Sequence, residues 1–162
     1  MDATHKFSLL HRNRYCFPTK TVLVVEDDLL QQSRFAAHFK DLFGHQSSVV
    51  VVFVPTAVDC YAYLLGLSAI REGVAGSFSS PNPTAVFLDH DLQCGNGVEL
   101  LAALRDILPN CPVFTASGIP DNNTRMMVAG ATYNFIKNDI IDGRADDLIL
   151  DCIGDFQRCP AP

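Results

Sequence analysis

Short unbroken apolar runs alternate along this chain with stretches in which apolar residues recur at helical spacing. Residues 21–25, a largely β-branched run, predict a parallel strand buried on both faces. Leu30, Phe35, Phe39, Leu42 and Phe43 then predict a helix that Gly44 stops. The alternation repeats with an apolar strand at 49–54 and a helix entered at Pro55-Thr56. That helix runs to roughly Leu67, with a core face of Ala57, Tyr61, Leu64 and Leu65. Residues 73–83, rich in Gly, Ser and Pro, predict an extended surface connection. A third strand follows at 84–88, then a helical stripe of Val98, Leu101, Leu104, Ile107 and Leu108 ended by Pro109, and a fourth strand at 112–116. Asp121 is placed to cap a fourth helix carrying Met126, Met127 and Val128 and stopped at Gly130, before a fifth strand at 132–136. One last amphipathic helix has Leu148, Ile149, Cys152, Ile153 and Phe156 on its apolar face. Asp142, Asp146 and Asp147 fall in its first turns, where the helix dipole favours anions. Five strands alternating with five helices predict an α/β fold, a five-stranded parallel sheet with helices on both faces.

The strand ends carry the candidate chemistry. Glu26-Asp27 follow the first strand, Asp89 the third, Ser117 the fourth and Lys137 the fifth. In an open parallel sheet, ligands bind outside the carboxyl ends of the strands, so these side chains can meet although distant in sequence. Clustered acids with a hydroxyl and a lysine suggest Mg²⁺-assisted phosphoryl chemistry. Thr115 competes with Ser117 for the hydroxyl role.

Composition narrows the picture. At 162 residues and 48% hydrophobic content, one domain is expected. Eighteen acids against twelve bases give a net charge of −6 with no Lys/Arg stripe, which argues against direct nucleic-acid binding. Residues 1–20 hold Lys6, Arg12, Arg14 and Lys20 against Asp2, a basic arm on an acidic body. No apolar stretch is long enough to span a bilayer, and no export signal is recognisable, so a cytoplasmic setting is expected. Six cysteines without CxxC spacing fit a reduced environment, with Cys60, Cys111 and Cys152 as packing residues. His5, His11, His38, His45 and His90 lack ligand spacing and read as surface or loop residues.

Over about residues 20–157 this order of elements and strand-end residues resembles the receiver domain of two-component response regulators, a (βα)5 flavodoxin-like fold. The implied division is an N-terminal extension (1–20), the receiver (21–157) and a short tail (158–162). The resemblance implies that Asp89 is the phosphoacceptor and that Ser117 and Lys137 contact the phosphoryl group. It also implies that Mg²⁺ is held by Asp27, Asp89 and the backbone carbonyl of Asp91, with Glu26 acting through water. Gly97 matches the glycine that closes the phosphoacceptor loop. The implied partners are a sensor histidine kinase or histidine phosphotransfer protein and a downstream protein, with homodimerisation left open. The activity is then self-catalysed phosphoryl transfer at most, rather than that of an enzyme. Three positions depart from the pattern: Gln93 and Asn138 stand where proline is usual, and Asn134 where an aromatic is typical. They leave open a pseudo-receiver that only docks partners. A third reading takes Asp89-His90-Asp91 as the DxD of haloacid-dehalogenase-like phosphatases, with Asp91 as general acid/base.

Overall fold

The computed structural model describes residues 20–44, 49–65 and 82–153. Residues 1–19 of the expected arm, most of the Gly/Ser/Pro connection, the end of the second helix, Phe156 and the C-terminal tail lie outside them, while Lys20 opens the first strand.

Strands β1 (Lys20–Val25), β2 (Val49–Val54), β3 (Ala85–Leu88), β4 (Val113–Ser117) and β5 (Tyr133–Ile136) form one sheet in the order β2-β1-β3-β4-β5. Every neighbouring pair is parallel. The helices are α1 (Leu29–Phe43), α2 (Ala57–Leu64), α3 (Gly97–Ile107), α4 (Pro120–Val128), α5 (Lys137–Ile141) and α6 (Asp146–Ile153). The expected five-stranded α/β architecture is present.

Successive strand residues face opposite ways, so the sheet separates two apolar layers. Leu23, Val25, Val86 and Leu88 pack with Cys60, Tyr63, Leu100, Leu101, Leu104 and Met126, beneath α2, α3 and α4. Val22, Val24, Phe87 and Phe114 pack on the other side with Phe35, Phe39, Phe43, Ile140, Ile149 and Ile153 of α1, α5 and α6. There the rings form a row across the strands. Phe39 meets Phe87 at 5.0 Å, Phe87 stacks on Phe114 at 4.7 Å, and Phe114 meets Tyr133 at 5.2 Å between centroids.

Several expectations about element edges and faces are corrected. The buried α2 face is Ala57, Cys60 and Tyr63, with Tyr61 and Leu64 packed partly against the core as expected, whereas Leu65 is 65% exposed; nearly every residue of the segment is apolar, so periodicity could not select a face. Leu30 is 67% exposed at the start of α1, and Ile107, Met127 and Val128 are also exposed. Helix α4 begins at Pro120, whose fixed φ suits the first helical turn, and Asp121 lies inside that turn instead of capping it. The last helix, α6, begins only at Asp146, so Asp142 falls outside its first turns and instead ends a short unexpected helix, α5, from which Gly143 at φ +78° separates it. Cys60 is buried as expected, but Cys111 and Cys152 are only half-buried. His38 is no loop residue: it lies half-buried on α1, with Nε2 2.8 Å from Asp146 Oδ1.

Candidate functional site

The carboxyl ends of β1, β3, β4 and β5 all open at one edge of the sheet, and the polar residues there follow directly from strand ends. Backbone bonds fix them. The Glu26 N–H donates to the Val54 carbonyl (3.1 Å), and the Asp89 N–H to the Val25 carbonyl (3.0 Å). Three acids follow β1 and divide their roles. Asp28 caps α1, accepting from the N–H groups of Leu30 (2.8 Å) and Gln31 (3.2 Å), which frees its two predecessors for the strand end.

Glu26, Asp27 and Asp89 converge, each offering a carboxylate oxygen within 4.8 Å of the others, with Glu26 and Asp89 buried and Asp27 half-buried. Lys137 sits among them: its Nζ lies 2.8 Å from Glu26 Oε2 and 2.9 Å from Asp89 Oδ2. The lysine reaches this point because it directly follows β5, whose last residue, Ile136, pairs with Ser117 at the end of β4. Burial raises the Glu26 carboxyl, Lys137 pulls it down and the charge of Asp89 pushes it up, and together they place it at about 7. Burial would lower the Lys137 ammonium, but its hydrogen bonds to Glu26 and Asp89 outweigh this and leave it above its ordinary value.

Ser117 is buried at the strand end, and its hydroxyl oxygen accepts from the Ile119 N–H (3.0 Å). Thr115 lies two residues deeper, opposite Leu88, and its hydroxyl donates to the Tyr133 carbonyl (3.3 Å). Of the two hydroxyls, Ser117 is therefore the one at the rim. The Asp91 carboxylate does not join the cluster. One oxygen lies 2.7 Å from His90 Nδ1 and the other accepts from Asn122 Nδ2 (3.0 Å). His90 lies in the loop after β3, as expected, but is half-buried and engaged. Gly97 is tightly held, since a Cβ there would collide with the Asp89 carbonyl oxygen and approach His90 Cα at 2.9 Å.

The departures have visible surroundings. Asn134 is exposed, while Tyr133 and Phe135 turn to the opposite side and pack with α1 and α6, as strand alternation predicts. Lys137 and Asn138 enter α5 without an intervening loop. At position 93 the backbone N–H, which a proline would lack, donates to Asp27 Oδ2 at 2.7 Å.

Sequence reading missed Asn122 and Asn123. Both are buried in the first turn of α4. Asn123 accepts from the Ser117 N–H (3.2 Å) and donates to the Phe135 carbonyl (2.7 Å), joining α4 to the ends of two strands. In sequence they form part of an ordinary polar helix start, and only their burial distinguishes them.

The three carboxylates form a hard-oxygen set of the kind Mg²⁺ takes with retained waters, and the two buried ones need a positive counter-charge, so the donor set fits a divalent cation. No protein-family model matches the chain, and no curated protein matches it. Solved structures do. The response regulator Rcp1, in its Mn²⁺-bound form, matches with a TM-score of 0.62 at 15% identity, over 88% of this chain and 99% of its own. The fold is that of a receiver domain. The bacteriophytochrome response regulator RtBRR matches the same receiver fold with a TM-score of 0.63 at 22% identity, over 88% of this chain and 84% of its own. The receiver domain of the sensor histidine kinase PA1611 from Pseudomonas aeruginosa PAO1, with magnesium in its active-site cleft, gives 0.58 at 16%, over 84% and 98%. Among the described residues, no helix is long and apolar enough to cross a membrane.

Proposed function

We propose that this receiver fold accepts a phosphoryl group on Asp89 from a phosphohistidine donor and signals through a change in partner binding or by passing the group along a relay. One observation carries the reading: the Lys137 ammonium bridges the buried carboxylates of Glu26 and Asp89, with Asp27 beside them, at the ends of three strands. An Asp89 oxygen attacks phosphorus, the P–N bond to the donor imidazole breaks, and its electron pair leaves with the nitrogen. Glu26, Asp27, Asp89 and the backbone carbonyl of Asp91 would hold Mg²⁺, which neutralises charge on the transferring group. Lys137 shifts its bond from the carboxylate to the new dianion, and the Ser117 hydroxyl donates to a phosphoryl oxygen. The implied donor is a sensor histidine kinase or histidine phosphotransfer protein.

The test is incubation with acetyl phosphate and Mg²⁺, read by intact mass. The wild-type chain gains one phosphoryl group and Asp89→Asn gains none. Labelling of Asp89→Asn to the wild-type level would refute the assignment. A second reading, a docking module without phosphoryl chemistry, draws support from the internal donors already bonded to all three carboxylates. It predicts that beryllofluoride with Mg²⁺ leaves the NMR signals around Asp89 unmoved.

A further inference from the structure

We propose that the outer edge of β2 is a docking surface for a second copy of this chain, the two β2 strands pairing antiparallel about a two-fold axis at Val51. The pairing uses a different edge of the fold from the phosphoryl site and does not depend on it.

Strand β2 is outermost on its side of the sheet, and no described strand lies beyond it. The Val54 carbonyl accepts from the Glu26 N–H on the β1 side. A residue's N–H and C=O leave a strand on the same side and alternate along it, so Val50, Val52 and Val54 turn both groups toward β1. Val49, Val51 and Phe53 turn theirs outward. Such an edge is a pairing template unless lysine, proline, a bulge or shortness blunts it. None of these interrupts VVVVFV, which holds register with β1 from Val49 to Val54. The opposite edge, β5, is shorter and carries the exposed Asn134.

Charge selects the occupant. A net charge of −6 sets copies of the chain against one another, so they meet most readily where charge is lowest. Asp59 is the only charged residue of 49–65, and the Thr56 hydroxyl donates to it at 2.6 Å. On α2, which follows this edge, Val58 and Leu65 are exposed. Antiparallel pairing about Val51 sets Val51 against its own copy and Val49 against Phe53, and residues so paired exchange both N–H···O bonds. No like charges come opposite one another. The two-fold closes the assembly at two copies. It also turns the carboxyl ends of the two sheets to opposite poles, so both three-carboxylate clusters stay open.

The experiment is sedimentation velocity of the full chain from low to high micromolar concentration, for wild type and Val51→Pro, with circular dichroism to confirm folding. Because the Val51 N–H faces outward, proline removes a bond to the second copy and none to β1. The wild type passes from monomer to dimer as concentration rises, and Val51→Pro dimerises about ten-fold more weakly or less. Hydrogen exchange supplies a second readout. The amides of Val49, Val51 and Phe53 gain protection with concentration, while those of Val50, Val52 and Val54 are protected throughout. A chain that stays monomeric overturns the proposal, as does a dimer unaltered in folded Val51→Pro or an assembly that grows beyond two copies. Protection of Val49, Val51 and Phe53 that ignores concentration also overturns it, because the chain then covers its own edge. The exchange pattern decides the matter if the proline variant does not fold.

Discussion

Replacing Lys137 by alanine removes the one ammonium that serves two buried acids. At 2.8 and 2.9 Å, each attraction is about 6 kcal/mol in a medium of dielectric about 20, and dehydrating the three groups offsets most of it. Removing one partner of a buried pair costs about 3 to 5 kcal/mol, because the remaining charge is left uncompensated. Here protonation limits the cost. Glu26 already titrates near 7 in the presence of Lys137, and it rises further without it. At about pH 8 the variant must discharge Glu26 by taking up a proton or tolerate two adjacent anions, and we expect a loss of about 3 kcal/mol. At about pH 5.5 Glu26 is already neutral in the wild type, only the Asp89 pairing is lost, and the cost falls to about half. Urea unfolding followed by far-UV circular dichroism, without divalent cations, measures both values. A loss equal at the two pH values, or below about 1 kcal/mol as for a surface ion pair, would refute the claim that Lys137 neutralises a buried acid pair.

Three further outcomes are expected. In the wild type without divalent cation, the raised Glu26 carboxyl makes the folded state bind more protons than the unfolded one. Its contribution is complete below its ordinary 4.5 and is lost as pH rises through about 7, up to about 3 kcal/mol, and Glu26→Gln flattens this slope in denaturant titrations. Asn123→Ala strands the Ser117 N–H and the Phe135 carbonyl and should cost about 2 to 4 kcal/mol, with faster amide exchange at Ser117 as its local signature. Phe114→Ala removes the fully buried ring between Phe87 and Tyr133 and should cost about 3 to 5 kcal/mol in the same unfolding assay.

The inner strands β1 and β3 were legible because residues buried on both sides of a parallel sheet are mostly apolar, and such runs are hard to mistake. Their ends were legible too, since the first charged residue after VLVV or AVFL marks where the strand stops, although Glu26 and Asp89 are themselves buried. Glu26, Asp27, Asp89 and Lys137 came together as that reasoning requires. Helix faces were harder to read. The α2 segment is apolar almost all round, so Tyr63 rather than Leu65 faces inward for reasons of packing. The late start of the last helix had a visible marker in Gly143, but a glycine between Asp142 and Arg144 fits a helix start as well as a break. Asn122 and the Gln93 N–H stayed hidden because their partners lie far along the chain, for Gln93 through a backbone atom common to every residue but proline, and Asn123 because its bonds are to backbone atoms that any residue could offer.

At the opposite pole, Arg105 near the end of α3 donates from all three guanidinium nitrogens: to the Gly130 carbonyl (2.7 Å), the Cys111 carbonyl (2.7 Å) and the Thr132 hydroxyl (2.8 Å). One planar fork thus clamps the entrances of β4 and β5 to each other and to α3. The other ends of β4 and β5, where Ser117 and Lys137 sit, are tied instead to the first turn of α4 through Asn123, so that turn is the nearest neighbour of any change there.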